Sequence, residues 1–414
     1  MGYEFESQDK LSGIDLTLSI GCRLNCHYCP QKRLVSQYVN NGSNPQDEMS
    51  METFKKVLKN VRIGGSVCFS GMCEPFHNSH CIDMIEYAFQ NGYKIMLFTT
   101  LMGVTDEIVD RLKKIDIMTL TIHIPDKERN SKFIIDNHYL HILQRVVTEL
   151  RIDGFSCHGE IDDCVVPIVG TTAPVFTKMM NRAGNLEYED LETQYCDEAL
   201  ICSAGAVTDD EGAWVPEILP DGTVSLCCMD YGMDHILGNL EKQSWAEIRD
   251  GKRYNTVINA MREEPGKTPL LCRRCNGALS LKEMQAREMK KLLQNTDSSE
   301  IALELSGILE RILAAKQICI FGIGKMFWDR YKERFWDEVF PATMLSDNNS
   351  ELWGKSFYGI TCVSPEELKK HKNLLVVVFV KDGEDIRSQL KGMGVHNIIL
   401  MKDIYKAMKE CKDV

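Results

Sequence analysis

The sequence predicts an α/β protein with a parallel sheet in its first half and a second α/β section at its C-terminus. Short β-rich runs alternate with helical patterns up to about residue 170, which is typical of a parallel sheet. The cysteines are unevenly spread, because only Cys319, Cys362 and Cys411 of the 17 lie beyond Cys275. Strand–helix alternation resumes at "QICIFGIGKMFWDRY" (317–331), after this cysteine-rich part has ended.

Four runs in the first half have the length and residue types of strands: "IDLTLSI" (14–20), "SVCFSG" (66–71), "KIMLFTT" (94–100) and "MTLTIHI" (118–124). The segments between and after them, such as "TDEIVDRLKKI" with Thr105 as its predicted N-cap, have helical spacing. Two further strands are predicted near 155–161 and 164–169. About six β/α units result, as an open sheet or a partial (β/α)6 barrel, and functional residues collect at the carboxyl ends of such strands.

Composition and charge restrict the partners that the protein can have. Its 414 residues suffice for two or three domains, and the 44% apolar content is that of a globular protein. The net charge of -12 argues against a nucleic-acid partner, because phosphate binding needs a basic surface. The start "MGYEFESQDK" is not a secretory signal, and the run "LLVVVFV" (374–380) is too short for a membrane span. We therefore expect a cytoplasmic protein without a membrane partner, whose thiols serve as ligands rather than in disulfides.

The stretch "GCRLNCHYCP" (21–30) places Cys22, Cys26 and Cys29 in a C-x3-C-x2-C pattern after the first strand. One interpretation is a structural zinc site, although such sites are closed by four protein ligands and usually contain two C-x2-C pairs. His27 would then have to be the fourth ligand. The other interpretation is a 4Fe–4S cluster, on which three thiolates leave one iron open to a substrate or cofactor.

With Tyr28 before the last cysteine, this pattern resembles the radical S-adenosylmethionine (SAM) superfamily. The resemblance implies that the open iron of the cluster binds S-adenosylmethionine and that Tyr28 lies at the cofactor. It also implies that an external one-electron reductant, of the flavodoxin or ferredoxin type, drives cleavage of the cofactor to a 5′-deoxyadenosyl radical. That radical takes a hydrogen atom from the substrate.

A second motif, "FSGMCEPF" (69–76), closes the second predicted strand and resembles the Gly-Met-Gly-Glu-Pro motif of the same superfamily. Gly71 and Glu74 match, whereas Cys73 occupies a position usually filled by glycine. The resemblance implies that the backbone and the glutamate hold the ammonium group of S-adenosylmethionine, a charge-assisted contact. His123, at the end of the fourth strand, either faces the cofactor or substrate or is a satisfied structural histidine.

A second group of cysteines lies downstream, within "LPDGTVSLCCMDYGMDHILGNL" and "LLCRRCNG". A C-x2-C pair alone is typical of a zinc half-site. The order of a single cysteine, Asp-Gly-strand-Cys, Leu-Gly-Asn and C-x2-C resembles instead the SPASM extension of radical SAM enzymes or its shorter twitch form. Because no further cysteine follows before Cys319, the resemblance implies a twitch-like module with one auxiliary 4Fe–4S cluster. Its expected ligands are Cys202, Cys227, Cys272 and Cys275.

Cys228 is left as the spare thiol of this group. It can replace Cys227 as a ligand, pack as a small apolar residue, or donate a hydrogen atom to a product radical. Cys157, Cys164 and Cys196 have no ligand spacing, and we expect them to be buried.

The segment "MMNRAGN" (179–185) precedes the auxiliary module. In the twitch-type aminocyclitol dehydrogenases that this arrangement resembles, an arginine in this region contacts the reacting hydroxyl. Arg182 is the candidate for that catalytic role. The alternative is a surface arginine that caps a loop, since most arginines are exposed.

The C-terminal section begins as a strand, then Gly322-Ile323-Gly324, then a helix. Phe327 replaces the third glycine of the dinucleotide fingerprint, and Asp347 follows the next strand at the place of a ribose-binding carboxylate. The section resembles small Rossmann-like domains appended to sugar-modifying and polysaccharide-biosynthesis enzymes. Three roles stay open for it: binding a nucleotide-sugar, holding a partner or forming a dimer. The predicted domains are 1–195 (radical SAM partial barrel), 196–280 (SPASM/twitch-like module), 281–314 (helical connector) and 315–414 (Rossmann-like domain).

The leading functional prediction is a radical SAM oxidoreductase or epimerase that acts on a carbohydrate-like small molecule. The prediction includes nucleotide-activated substrates of this class. One alternative is a maturase that modifies a ribosomally made peptide. Another is a non-catalytic iron–sulfur electron carrier. The Glu74 motif disfavours the electron carrier, because such a protein does not need to bind an amino-acid ammonium.

Overall fold

A nine-stranded sheet organises the first of the two units, Met1–Ala278 and Leu279–Val414, into which the computed structural model divides the chain. The structure describes residues 10–41, 46–170, 173–177, 180–186, 195–202, 215–263, 266–280, 283, 307–308, 310–312, 314–331, 340 and 342–404. Most of the predicted connector, 281–314, lies outside these residues. No helix in the described part of the chain has the length and apolar character needed to cross a bilayer.

Six strands of the large sheet pair in parallel in chain order: β1 (Leu11–Leu16), β2 (Val61–Phe69), β3 (Lys94–Thr99), β4 (Ile117–His123), β5 (Gly154–Ser156) and β6 (Val175–Phe176). Helices alternate with them: α1 (Gln31–Asn41), α2 (Met51–Leu58), α3 (Cys81–Gln90), α4 (Asp106–Leu112), α5 (Asn137–Glu149) and α6 (Val166–Val169). The α/β class with a parallel sheet is thus present, while its closure into a partial barrel stays a prediction. Thr105 caps α4 as predicted, since its side chain accepts a hydrogen bond from the N–H of Ile108 at 3.4 Å.

The predicted sixth strand at 164–169 is wrong. This segment contains α6, and the sixth strand, β6, follows it. The apolar run "VVPIV" has no periodicity that separates a strand from a helix. Pro167 lies in the first turn of α6, where its missing N–H leaves no hydrogen bond unmade.

Three strands of the cysteine-rich segment continue the same sheet. Strand β8 (Glu217–Ile218) pairs in parallel with β1, so that Glu217 lies opposite Asp15. Strands β9 (Thr223–Ser225) and β10 (Ile236–Asn239) extend it antiparallel. Its other elements are the pair β7 (Leu200–Cys202) and β11 (Ala278–Ser280), with helices α7 (Trp245–Arg249) and α8 (Lys252–Arg262). The carboxyl end of β1 therefore meets this segment directly.

The second unit contains a six-stranded sheet in the order β14-β15-β13-β12-β16-β17. Its strands are β12 (Gln317–Phe321), β13 (Met344–Ser346), β14 (Ser356–Phe357), β15 (Ile360–Val363), β16 (Leu374–Val378) and β17 (Ile398–Leu400), with helices α9 (Lys325–Arg330) and α10 (Glu384–Gly392). The five parallel strands follow the order 3-2-1-4-5 of doubly wound sheets. The carboxylate of Asp347 accepts the N–H groups of Ile323 (2.7 Å) and Asn349 (2.8 Å), so it holds the glycine loop. A Rossmann-like ligand site in this unit stays a prediction.

Candidate active site

One cavity of about 230 Å³ collects the residues that both motifs of the first half predict. It lies where β1 to β5 end, the edge at which parallel α/β sheets place their ligands. Among its lining residues are Cys22, Cys26, Tyr28, Cys29, Gly71, Glu74, His123 and Arg182. Motifs that are up to 160 residues apart in sequence (Cys22 to Arg182) thus share one site.

The cysteine loop after β1 is held from two sides. The N–H of His27 donates to the carbonyl oxygen of Asn130 at 2.6 Å. Gln31 accepts the N–H of Cys22 at 3.4 Å and donates its amide to the carbonyl oxygen of Met72. Because Gln31 bridges both motifs, the cysteine loop and the Gly-Met-Cys-Glu-Pro turn are positioned together.

The spacing of the thiols bears on which metal group they can hold. Around one tetrahedral zinc ion, Zn–S bonds of about 2.3 Å place the sulfur atoms about 3.8 Å apart. In the described part of the chain, the Sγ atoms of Cys22, Cys26 and Cys29 do not form a group within 4.8 Å of one another, and neither do the four downstream cysteines. The loop supplies three thiols, which suit a 4Fe–4S cluster with one open iron better than a zinc site closed by four protein ligands.

The three thiols of the loop have unequal environments. A hydrogen bond with Cys73, followed by one with His77, outweighs burial and lowers the pKa of Cys22 to about 4. Burial raises the pKa of Cys26 to about 12, with further contributions from the neighbouring sulfur atoms of Cys29 and Cys22. Cys22 is therefore the thiol of the three that ionises most readily.

The backbone of the Gly-Met-Cys-Glu-Pro turn is fixed by two side chains of the β1 region. Gly71 has a φ of +55°, and a Cβ built on it would lie 2.4 Å from the hydroxyl oxygen of Thr17, so that only glycine fits. Its N–H donates to Asp15 at 3.1 Å, and the N–H of Met72 donates to Thr17 at 2.7 Å. The glycine of this motif is thus required by its close approach to β1.

Glu74 is buried, and both of its carboxylate oxygens have hydrogen-bond donors within the protein. One oxygen accepts from the Thr99 hydroxyl at 2.6 Å and the N–H of Phe76 at 3.3 Å. The other accepts the N–H (2.7 Å) and hydroxyl (2.6 Å) of Thr100. Four donors fill the acceptor capacity of a carboxylate, so Glu74 braces the turn against the end of β3. Its predicted contact with an ammonium group stays a prediction.

His123 ends β4 and lies in the cavity wall, where its Nε2 is hydrogen-bonded to the hydroxyl of Tyr28. Burial first, and then electrostatic interactions with His158 and Arg182, lower the pKa of His123 to about 3. The ring is therefore neutral at physiological pH. Sequence reasoning missed His158, whose ring lies 4.4 Å from that of Tyr28, although its position two residues after β5 marks a strand's carboxyl end.

The loop that carries Arg182 is tied to the C-x2-C segment. The side-chain oxygen of Asn181 accepts the N–H groups of Ala183 (3.0 Å) and Asn276 (3.2 Å), and its amide donates to the carbonyl oxygen of Arg274 at 2.7 Å. Arg182 itself has a positive φ of 51°, which costs free energy for a residue with a side chain. The cysteine-rich segment thus positions an arginine in the cavity of the cysteine loop.

The guanidinium of Arg182 has no carboxylate partner among the described residues. Its Nη1 donates a hydrogen bond to the sulfur of Met229 at 3.6 Å. Burial acts to lower its pKa, but the nearby Tyr231 and Cys228 raise it overall. A cation with such surroundings favours a ligand group that carries negative charge or accepts hydrogen bonds.

The four predicted auxiliary ligands come from three places in the fold. Cys202 ends β7, Cys227 follows β9, and Cys272 and Cys275 flank a tight turn, in which the N–H of Cys275 donates to the carbonyl oxygen of Cys272 at 3.1 Å. Burial raises the pKa of Cys272, and the nearby thiols of Cys202 and Cys275 raise it further. The structure therefore brings these thiols into one neighbourhood.

Arg273, between the last two of these cysteines, is 1% exposed and was missed by sequence reasoning. It donates to the carbonyl oxygens of Cys196 and Glu198, both at 3.1 Å, and of Ala260 at 2.6 Å. These bonds tie the C-x2-C turn to the segment before β7 and to α8. Among the other cysteines, the predicted burial is confirmed for Cys157, whereas Cys196 is half-buried and Cys164 is exposed, which corrects that expectation.

Cys228 faces a different environment from Cys227. Its Sγ and carboxylate oxygens of Asp15 and Glu217 all lie within 4.8 Å of one another. Glu217 is fully buried; one of its oxygens accepts the Thr17 hydroxyl at 2.6 Å, and the other has no hydrogen-bond partner among the described residues. Burial raises the pKa of both carboxyl groups, and for Glu217 the adjacent Asp15 raises it further. Two such neighbouring groups retain a proton well above the usual carboxyl range.

We expect this pair to make the protein less stable as pH rises. A carboxyl group whose pKa is raised in the folded state makes a contribution to stability that is fully present below its unfolded-state pKa, near 4.5. This contribution is lost as the pH rises towards the folded-state pKa. The loss is about 1.4 kcal/mol per pH unit for one group. Glu217→Gln is therefore expected to flatten the fall of the unfolding free energy between pH 5 and pH 8, as measured by urea denaturation. The exposed variant Glu160→Gln is the control, and a Glu217→Gln profile parallel to the wild-type profile would contradict the prediction.

Comparisons with known proteins identify both cysteine-bearing segments. Residues 16–162 match the Radical SAM superfamily, and residues 216–276 match the iron–sulfur cluster-binding domain SPASM. The comparison with curated proteins gives no match.

Several solved structures are similar to about two thirds of the chain. BtrN in complex with AdoMet and 2-DOIA is 16% identical over 64% of this chain and 93% of that one, with a TM-score of 0.43. SuiB of Streptococcus suis bound to precursor peptide SuiA is 12% identical over 64% of this chain and 70% of that one, with a TM-score of 0.39. Native anSMEcpe with bound AdoMet is 12% identical over 64% of this chain and 88% of that one, with a TM-score of 0.40. Likenesses at this level do not identify a substrate.

The first matched segment contains Cys22, Cys26 and Cys29, and the second contains Cys227, Cys272 and Cys275 but not Cys202. A SAM-binding 4Fe–4S cluster and S-adenosylmethionine follow from the first segment, and auxiliary iron–sulfur binding follows from the second. Enzymes of this superfamily also need an external reductant. The chain is therefore a radical SAM enzyme with a SPASM domain.

Proposed function

We propose that this enzyme oxidises a hydroxyl-bearing carbon of a carbohydrate-like small molecule. The observation that supports the proposal is Arg182, a half-buried cation without a described carboxylate partner in the cavity of the cysteine loop. A polyol or amino-sugar offers the hydroxyl oxygen that this guanidinium can bind. Nucleotide activation of the substrate is compatible with the same contact.

When bound, the clusters and S-adenosylmethionine supply hydrogen-atom abstraction and one-electron redox chemistry. Loss of a hydrogen atom from a carbinol carbon makes the attached hydroxyl more acidic, and its oxygen gains negative charge as the carbonyl forms. A planar guanidinium directed at this oxygen stabilises that charge by charge-assisted hydrogen bonds. Because Asn181 ties the Arg182 loop to the C-x2-C turn, the donor is fixed before the substrate arrives.

A second candidate function is epimerisation, for which Cys228 supplies a specific observation. Its thiol lies beside Asp15 and Glu217, whereas Cys227 next to it has other cysteines as neighbours. A thiol that is not a metal ligand can return a hydrogen atom to a carbon radical from the face opposite to abstraction. The deuterium experiment below separates this outcome from oxidation.

The expected result in deuterated water is a product two mass units lighter than the substrate and free of deuterium. The probes are a panel of aminocyclitols, hexoses and nucleotide-sugars, screened by stimulation of 5′-deoxyadenosine formation and then by mass spectrometry. Arg182→Gln is expected to lower product formation about 100-fold, because one charged donor to a developing oxyanion contributes about 3 kcal/mol. The surface variant Arg151→Gln is the matched control.

Two outcomes would reject oxidation at this site. Deuterium at an inverted carbon, lost again in Cys228→Ala, would assign epimerisation instead. An Arg182→Gln enzyme with wild-type product formation would remove the guanidinium from the reaction. A panel without any stimulating compound, combined with stimulation by a peptide, would reject the carbohydrate-like substrate class.

A further inference from the structure

Cys73 departs from the usual glycine of its motif, and its thiol lies against the cysteine loop. The side chain is 8% exposed, and its Sγ lies 3.8 Å from Nδ1 of His77. The Sγ of Cys22 is within 4.8 Å of both ligand atoms. Two polar side chains of the turn thus converge on one sulfur of the predicted cluster-binding set.

The local fold explains this convergence. Pro75–His77 forms a single 3-10 turn, which starts immediately after Glu74 and in which the N–H of His77 donates to the carbonyl oxygen of Glu74 at 3.1 Å. Residues 73 and 77 are four positions apart and flank this turn. Because three hydrogen bonds of Glu74 with Thr99 and Thr100 fix the turn to the end of β3, Cys73 and His77 are held in place without a ligand.

The other two thiols of the loop have different neighbours. Cys29 has the hydroxyl oxygen of Tyr231 at 3.5 Å from its sulfur, and Cys26 interacts with Tyr28. Among the described residues, Cys22 is the only one of the three loop cysteines in a group where a second thiol and an imidazole lie within 4.8 Å of its sulfur. When an S–H and an N–H within 4.8 Å of a ligating thiolate donate to it, they disperse its negative charge. This favours the reduced, more negative state of a cluster.

We propose that Cys73 and His77 are positioning residues that hydrogen-bond the Cys22 thiolate and raise the reduction potential of the SAM-binding cluster. The inference rests on the cluster set Cys22, Cys26 and Cys29 and is independent of the substrate proposed above. A cluster with a raised potential is reduced more completely by a given external donor. The cysteine that replaces glycine would therefore widen the range of reductants that can serve this enzyme.

The test measures the midpoint potential of the SAM-binding cluster in full-length, anaerobically reconstituted protein. Redox titration is followed by electron paramagnetic resonance, and the signal that changes on addition of S-adenosylmethionine identifies this cluster. In Cys73→Ala, the ratio of reduced to oxidised cluster at a fixed potential should fall about tenfold, or about 59 mV for one electron. Cys73→Ser keeps an O–H donor and should recover most of this loss. His77→Phe should shift the potential in the same direction and provides a second, independent variant.

Cys81→Ala is the matched control, because Cys81 is an equally buried thiol in α3 that lies outside this group. The proposal is overturned if Cys73→Ala and His77→Phe both keep the wild-type potential, or if Cys73→Ser loses as much as Cys73→Ala. It is also overturned if Cys81→Ala shifts the potential equally. Loss of iron from the SAM-binding site in Cys73→Ala would make Cys73 a ligand, and a zinc ion retained by Cys73 and His77 would make them a separate metal site. Either result contradicts the proposal.

Discussion

Anaerobically reconstituted protein is expected to contain about eight irons, and replacement of Cys22, Cys26 and Cys29 by alanine should leave about four. The three thiols line one cavity, so their removal should empty one cluster site. The variant should form no 5′-deoxyadenosine from S-adenosylmethionine. Iron and sulfide analysis, together with chromatography of the cofactor products, measures both effects.

The matched variant replaces Cys272 and Cys275 by alanine. It should also leave about four irons, the content of one 4Fe–4S cluster, but it should still cleave S-adenosylmethionine. The two variants should thus have the same iron content, but only the second should cleave S-adenosylmethionine. One zinc ion and no iron in the wild-type protein after anaerobic purification would contradict the assignment of both sites.

Glu74→Ala is expected to weaken S-adenosylmethionine binding about 30-fold or more, which corresponds to roughly 2 kcal/mol. It should also lower the unfolding free energy by about 3 kcal/mol, because the N–H of Thr100 and its neighbouring donors lose a buried acceptor. Equilibrium dialysis of the cofactor and urea denaturation measure the two quantities. Glu74→Gln separates them, because it keeps the size and part of the acceptor capacity but removes the charge.

If the carboxylate contacts the cofactor ammonium, Glu74→Gln should lose affinity out of proportion to its loss of stability. If Glu74 only braces the turn, affinity and stability should fall together. The surface variant Glu52→Ala should change neither, since its carboxylate is largely exposed at the start of α2. Wild-type affinity in Glu74→Ala would mean that the cofactor lies elsewhere.

The sequence predicted the strands β1 to β4 because each is an apolar run between helical patterns, and a buried parallel strand needs this composition. It also predicted Cys22, Cys26, Cys29 and Glu74, since their spacing is local. The structure places these side chains in one cavity, as expected for residues that follow neighbouring parallel strands. Local patterns therefore sufficed for the core of the site.

Contacts between distant segments could not be predicted in this way. Glu217 follows no motif, and its position opposite Asp15 depends on the pairing of β8 with β1. Arg273 and His158 are single polar residues whose roles depend on carbonyl groups and rings from other elements. The different surroundings of Cys227 and Cys228 likewise could not be predicted, because the two residues are adjacent in sequence.

The pairing of β8 with β1 also affects how the chain is made. The Thr17 hydroxyl donates a hydrogen bond to Glu217, although the two residues are 200 positions apart in sequence. At about 5–20 residues per second, a ribosome needs about 10–40 s to synthesise the intervening chain. During that time, the outer edge of β1 has no partner strand, and an unpaired edge is open to association with other chains. Completion of the SPASM segment thus ends a period in which the nascent protein is exposed to aggregation.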